Sequence, residues 1–195
     1  MMERYASMHR KTNETEVTLE LCLDGGERAI STGVGFFDHM LSAFAVHGNF
    51  GLKVKTVGDW EVDCHHTIED TGIVLGKAFA EALPTKRGIR RFGHAYIPMD
   101  EALAFAAADI SGRPFLVFSG EFPQERVGDY DTCMTEEFFR AFAANAGITL
   151  HLRCEYGKNS HHMIEALFKA AAHALRDALS QEEDPNLLLS SKGVL

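Results

Sequence analysis

The phrase His65-His66-Thr67-Ile68-Glu69 recurs as His161-His162-Met163-Ile164-Glu165. This recurrence constrains the fold more than any other feature of the chain. Each copy is a histidine pair with a carboxylate four places after its first member. Aligning the copies with a two-residue gap also lays Phe44-Ala45 on Phe142-Ala143, Phe50-Gly51-Leu52 on Ile148-Thr149-Leu150, and His39 on Glu137. Self-similarity at matching places marks a duplicated supersecondary unit. At 195 residues, the chain can hold two fused halves around a sizeable core.

The apolar pattern gives each half its elements. Val17, Leu19, Leu21 and Leu23 alternate with Thr18, Glu20 and Cys22, which predicts a half-buried strand. Asp24-Gly25-Gly26 predicts a hairpin turn, with 27–31 as the returning strand. Phe37, Met40, Leu41, Phe44 and Ala45 fall at helical spacing, with Gly48 as the stop. The stretch 52–57 predicts a strand, 60–63 a second short one, and 66–83 a helix ended by Pro84. The second half repeats the order. Ala102–Asp109 and Phe115–Ser119 read as strands around the turn Ser111-Gly112-Arg113-Pro114, followed by a helix over 136–146, a strand over 148–154 and a helix over 162–179. The tail from Glu182 reads as irregular.

Hairpin strands with helices left to cover one face predict an α+β architecture. The expectation is a single domain over 1–195 built from two pseudo-repeats, about 10–93 and 94–185, plus a C-terminal tail, 186–195. Each repeat is a ββαβα-type half, and the whole is a two-layer sandwich of helices packed on mixed sheets.

A net charge of −9 argues against a general nucleic-acid binder. It leaves room for a local basic pocket, and Lys86, Arg87, Arg90 and Arg91 cluster; on charge alone they read as a solvated loop. The four cysteines, Cys22, Cys64, Cys133 and Cys154, show no CxxC spacing. No apolar leader opens the chain and no stretch is long enough to span a bilayer. The expected location is the cytoplasm, with free thiols. Cys64, beside His65, suits either a buried apolar place or a ligand role.

On a helix, positions four apart are rotated by about 40° and adjacent positions by about 100°. His65 can therefore share one ion with Glu69, while His66 points elsewhere; the same holds for His161, Glu165 and His162. Two motifs supply two ions if the single histidine of one completes the pair of the other, between halves or between subunits. Imidazole with carboxylate suits Mn, Fe, Co or Zn, and the absence of a thiolate set argues against a structural zinc. His39 sits near a helix start, off the apolar stripe, and reads equally as a solvated residue or a ligand.

Taken together, the residues resemble the imidazoleglycerol-phosphate dehydratase family in its monofunctional form. The matching phrases are Thr12-Asn13-Glu14-Thr15, Phe37-Asp38-His39-Met40-Leu41, His47-Gly48, both histidine motifs, Arg91-Phe92-Gly93, Met99-Asp100-Glu101-Ala102, Ser111-Gly112-Arg113-Pro114, Lys158-Asn159-Ser160 and the tail Ser190-Ser191-Lys192-Gly193-Val194-Leu195. The resemblance implies a ribosomal protein S5 domain 2-like fold and a lyase of histidine biosynthesis. Its implied reaction removes water from imidazole glycerol phosphate to give imidazole acetol phosphate. It implies two Mn(2+) per active site, with other first-row divalent metals possible, in a homo-oligomer of 24 subunits with active sites at subunit interfaces.

The implied metal ligands are His39, His65, His66, Glu69, Glu137, His161, His162 and Glu165. Glu137 is a departure, because many members carry His there; a carboxylate suits manganese but changes the site charge by one unit. The implied catalytic residues are Glu14, as acid/base, and His47. Substrate contacts fall on these two and on Arg91, Arg113, Lys169, Ser190, Ser191 and Lys192, where the cations match a phosphate. Without the resemblance, Glu14 is a solvated carboxylate at a strand end, and His47 a histidine favoured by its helix C-terminus.

The chemistry explains a pair of metals. The proton to be removed has no neighbouring carbonyl, so the imidazole ring is the electron sink. Held as an imidazolate between two cations, the ring can expel the hydroxyl to give a diazafulvene-like species, which acidifies the next C–H. Two other classes compete: a dinuclear metallohydrolase, and a non-enzymatic assembly clipped by metals. The phosphate-type cations speak against the second, and a carboxylate outside the metal set, Glu14, against the first.

Overall fold

The computed structural model describes residues 4–193. Val194 and Leu195, which close the expected tail motif, lie outside the described residues. The first half runs β1 (Tyr5–Lys11), β2 (Thr15–Cys22), β3 (Arg28–Ser31), α1 (Gly35–Gly48), β4 (Gly51–Gly58) and α2 (His65–Ala82). The second runs β5 (Phe92–Met99), β6 (Ala102–Asp109), β7 (Phe115–Ser119), α3 (Met134–Ala146), β10 (Thr149–Tyr156) and α4 (Ser160–Ala178), with a small ribbon, β8 (Arg126–Val127) and β9 (Tyr130–Asp131), inserted before α3. The sheets have orders β1-β2-β4-β3 and β5-β6-β10-β7. They are one topology built twice. Even single hydrogen bonds repeat: Phe50 N–H donates to Ala45 O at 2.8 Å, and Ile148 N–H to Ala143 O at 3.2 Å. These are the positions the sequence alignment pairs.

The α+β sandwich with helices on mixed sheets is borne out, and three details differ from expectation. Each half begins with one strand more than the pattern resolves, β1 and β5. The strand after Asp24-Gly25-Gly26 does not return along β2, because β1 and β4 occupy both edges of β2. It crosses instead to the far edge and pairs parallel with β4. Residues 60–63 form a turn rather than a strand.

The helices lie between the sheets. Helix α2 packs on the first sheet and against α3, while α4 packs on the second sheet and against α1. Aromatic rings from all four meet in the core: Phe37–Phe138 at 5.3 Å, Phe44–Phe142 at 6.1 Å, Phe79–Phe142 at 5.7 Å and Phe138–Phe168 at 5.2 Å between centroids. Burying such rings is worth about 2–3 kcal/mol each, and it locks the helix starts relative to one another. Helix α1 ends where a side chain would not fit, since a Cβ on Gly48 would meet the Phe50 ring at 2.2 Å. Asn49 then takes the left-handed conformation, φ 56°, that caps the helix.

Candidate metal and substrate site

Four helix starts carry the metal-type residues, with Glu137 in the first turn of α3. Asp38 fixes the first turn of α1 by reaching back to Thr32, accepting from its N–H at 2.8 Å and from its hydroxyl at 2.5 Å. That places His39 on the α4 side of the helix. In α4, Asn159 caps the helix and accepts from the His161 N–H at 2.9 Å. In α2, Asp63, one place before the N-cap Cys64, accepts from the His65 N–H at 2.7 Å.

The expected i,i+4 pairs form. His65 Nε2 lies 3.6 Å from Glu69 Oε2, and His161 Nε2 lies 3.3 Å from Glu165 Oε2. The second pair has a third member: His39 Nε2 stands 3.5 Å from Glu165 Oε2. Among the described residues, His39, His161 and Glu165 are the group whose donor atoms converge, all within 4.8 Å of one another. Ligand atoms about 2.1 Å from one ion sit roughly 3.0–3.4 Å apart at ordinary angles. Two imidazoles and a carboxylate at this spacing fit a first-row divalent cation. The completing histidine comes from the other half of the chain, as cross-completion requires, but it is His39 rather than His66.

Glu165 is nearly buried, and its second oxygen accepts from Lys169 at 2.6 Å. Burial pushes its carboxyl up. Lys169 and His39 outweigh that, so the group sits below the ordinary 4.5. The Lys169 ammonium, expected to face phosphate, is thus engaged with a metal-type carboxylate. The first-half pair stays open by comparison. Glu137 lies 3.6 Å from Arg140, which also bonds Glu136, and among the described residues no third donor converges with His65 and Glu69.

The single histidines turn away from the pairs, as the helical rotation predicts. The His65 and His66 rings are inclined at 68°, those of His161 and His162 at 76°. His66 Nδ1 is 2.9 Å from Asp59, and its Nε2 is 3.9 Å from Glu14. His162 Nδ1 is 2.7 Å from Glu101, and its Nε2 is 3.6 Å from Asp100. The hydrogen bond that His66 gives to Asp59 raises its pKa above 6.5, and the one that His162 gives to Glu101 does the same there. Glu101 is itself held down to about 2 by His162 and by the backbone N–H groups of Lys158 and Asn159. Sequence reasoning missed Asp59 and Glu101 as partners; the one signal was that Glu101 falls in a family phrase. Glu14 sits in the β1–β2 turn, where the Thr12 hydroxyl accepts from its N–H at 3.1 Å. His47 bonds His173 at 3.1 Å between ring nitrogens, another pairing the sequence did not announce.

The anion-type residues gather elsewhere. Arg91 is buried, holds a left-handed φ of 70°, and grips Asp109 at 2.7 and 3.1 Å as well as the Leu189 carbonyl. Arg113 reaches the same Asp109 at 3.3 Å. The tail beyond Leu189 turns on itself, with the Ser190 carbonyl accepting from the Gly193 N–H at 3.2 Å. Ser191 and Lys192 are exposed within it. The Arg91 N–H donates to Ala178 O at the end of α4. His161 is at the other end, about 25 Å away along the helix axis. Within one chain, the structure therefore does not bring Arg91, Arg113, Ser190, Ser191 and Lys192 to the metal-type cluster.

Comparison with known proteins fits this geometry. The family model described as imidazoleglycerol-phosphate dehydratase matches residues 32–175. The chain is 54% identical over 195 residues to the enzyme of that name from Acetivibrio thermocellus, and 57% to that from Bacillus cytotoxicus, with each pair of chains covered completely. Its fold superposes on the crystal structure of imidazoleglycerol-phosphate dehydratase from Staphylococcus aureus with a TM-score of 0.83 at 41% identity, covering 91% of this chain and 99% of that one. The Pyrococcus furiosus structure gives 0.83 at 35% identity, covering 96% and 100%.

Proposed function

The chain belongs to the imidazoleglycerol-phosphate dehydratase family, hydro-lyases of histidine biosynthesis, and we propose that it works through two manganese ions held by its duplicated His-His-x-x-Glu clusters. The observation that carries this reading is the convergence of His39, His161 and Glu165. Bound manganese would supply the Lewis acidity that makes the substrate ring the electron sink for loss of the hydroxyl.

The chain's own residues would do the rest. His39, His161 and Glu165 would hold one ion and His65 and Glu69 the other, with Glu137, the aligned counterpart of His39, turning to it from Arg140 and with His66 and His162 adding their Nε2 atoms. Once the hydroxyl has left, the ring carbon chain is diazafulvene-like and its neighbouring C–H is acidic enough for a carboxylate. Glu14, beside His66 in an exposed turn, accepts that proton. The enol then becomes the ketone. His47 contacts the substrate from the α1 end nearest Lys169.

A three-carbon chain cannot join a ring at the start of α4 to a phosphate at its end. The Arg91, Arg113 and tail cluster therefore serves the metals of a neighbouring subunit, which supports a homo-oligomer, of 24 chains by family analogy, with active sites at its interfaces. The four unbridged cysteines and the biosynthetic family support a cytoplasmic location. Incubating manganese-loaded protein with imidazole glycerol phosphate tests the reading. Ketone formation above a metal-free control supports it; release of phosphate without ketone contradicts it.

A further inference from the structure

We infer that Asp59 and Glu101 are positioning residues that hold the proton of His66 and of His162 on Nδ1, so that each ring presents a bare Nε2. The inference rests on the dimetal reading above and adds to it the groups that aim the two solitary ligands.

His65 and His161 each have a carboxylate one turn on. His162 has none, and the one after His66 is engaged elsewhere. The residue four places after His162 is Ala166, and that after His66 is Asp70, which is taken by Arg10 and Thr15. A ring without a helical partner needs another anchor, and each has one: Asp59 at 2.9 Å and Glu101 at 2.7 Å, both on Nδ1. Among the described residues, the rings of His39, His65 and His161 have no such Nδ1 partner. A carboxylate can only accept, so the ring proton stays on Nδ1 and the lone pair on Nε2. Carboxylate partners of this kind orient ligating imidazoles and raise their basicity.

The two anchors are not copies of one another. Asp59 follows β4, whereas Glu101 lies in the β5–β6 turn. The residue that follows β10 as Asp59 follows β4 is Gly157, which carries no side chain to make such a bond. Duplication of a loop does not explain the shared hydrogen bond. A shared requirement of two imidazoles does.

Asp59 is the cleaner test, because Glu101 also anchors the backbone of Lys158 and Asn159. Long-range 1H–15N spectra of the metal-free protein, at a pH where the rings are neutral, report each tautomer directly. The expected result is Nδ1–H for His66 and His162, with Asp59→Ala moving His66 alone toward Nε2–H. Manganese binding to Asp59→Ala, followed by electron paramagnetic resonance of the free ion, should weaken about 10- to 100-fold at one ion. Asp59→Asn, of the same shape, serves if the alanine variant does not fold, and should weaken binding in the same direction. An Nε2–H tautomer for His66 in the unaltered protein overturns the inference, as does unchanged manganese affinity in a folded Asp59 variant. Absence of manganese binding by the unaltered protein instead overturns the dimetal reading on which it rests.

Discussion

His39 Nε2 and Glu165 Oε2 lie 3.5 Å apart, although each residue comes from a different half of the duplicated chain. The contact spans the α1–α4 packing, so the cluster forms only when the two halves dock. Because the His39 ring is half exposed, removing it should cost little stability. His39→Ala is expected to change unfolding free energy by less than about 0.5 kcal/mol while losing one of two bound manganese ions. Denaturant titration and metal analysis of the same preparation check both.

Lys169 should matter more to the empty protein than to the loaded one. Its ammonium neutralises the nearly buried Glu165 carboxylate, and breaking such a pair from one side costs about 3 kcal/mol. Lys169→Met should lower the melting temperature of metal-free protein sharply, and manganese should close part of the gap. An equal deficit with and without manganese would contradict the arrangement.

Gly76 is expected to resist alanine despite lying inside a helix. Alanine is favoured over glycine there by about 1 kcal/mol in an open helix. A Cβ at this position would meet Phe142 O at 2.6 Å and Asn145 Cβ at 2.8 Å on α3. Parting α2 from α3 should reverse the sign, leaving Gly76→Ala destabilised by about 1–3 kcal/mol. Denaturant midpoints decide the sign.

The His47–His173 pair predicts acid sensitivity. Burial lowers the pKa of both rings below 6.5, with Lys169 adding to the effect at His47 and Arg176 at His173. In the unfolded chain each ring takes a proton near 6.5, which the native state accepts only at lower pH. Their contribution is therefore present above 6.5 and is lost as pH falls below it. In a series from pH 8 to pH 5, melting temperatures should hold to about 6.5 and drop below it, and His173→Gln should flatten the drop.

The sequence carried the helices, the duplication and the His–Glu pairs, because helical spacing and repetition are local signals. It did not carry β1 and β5. Both are edge strands; only Ala6 of β1 and Gly93 of β5 are buried, so neither shows a clear apolar alternation. Pro98 also breaks the β5 pattern, as an edge strand allows. The false strand at 60–63 alternates correctly but finds no edge to pair with. Asp59, Glu101 and His173 lie 7, 61 and 126 residues from the rings they bond, and contacts of that kind leave no mark on residue spacing. The separation of Arg91 from His161 was hidden for the same reason, since a motif list does not say which end of α4 each phrase occupies.

The central claim is that both His-His-x-x-Glu clusters hold metal for one dehydration. Metal-free protein titrated with manganese, with bound ion and ketone formation measured at each point, tests it most directly. No turnover is expected without metal, and the rate should saturate at two ions per chain. Full turnover by the metal-free protein, or saturation unchanged when Glu69 and Glu165 are both replaced by glutamine, would contradict it.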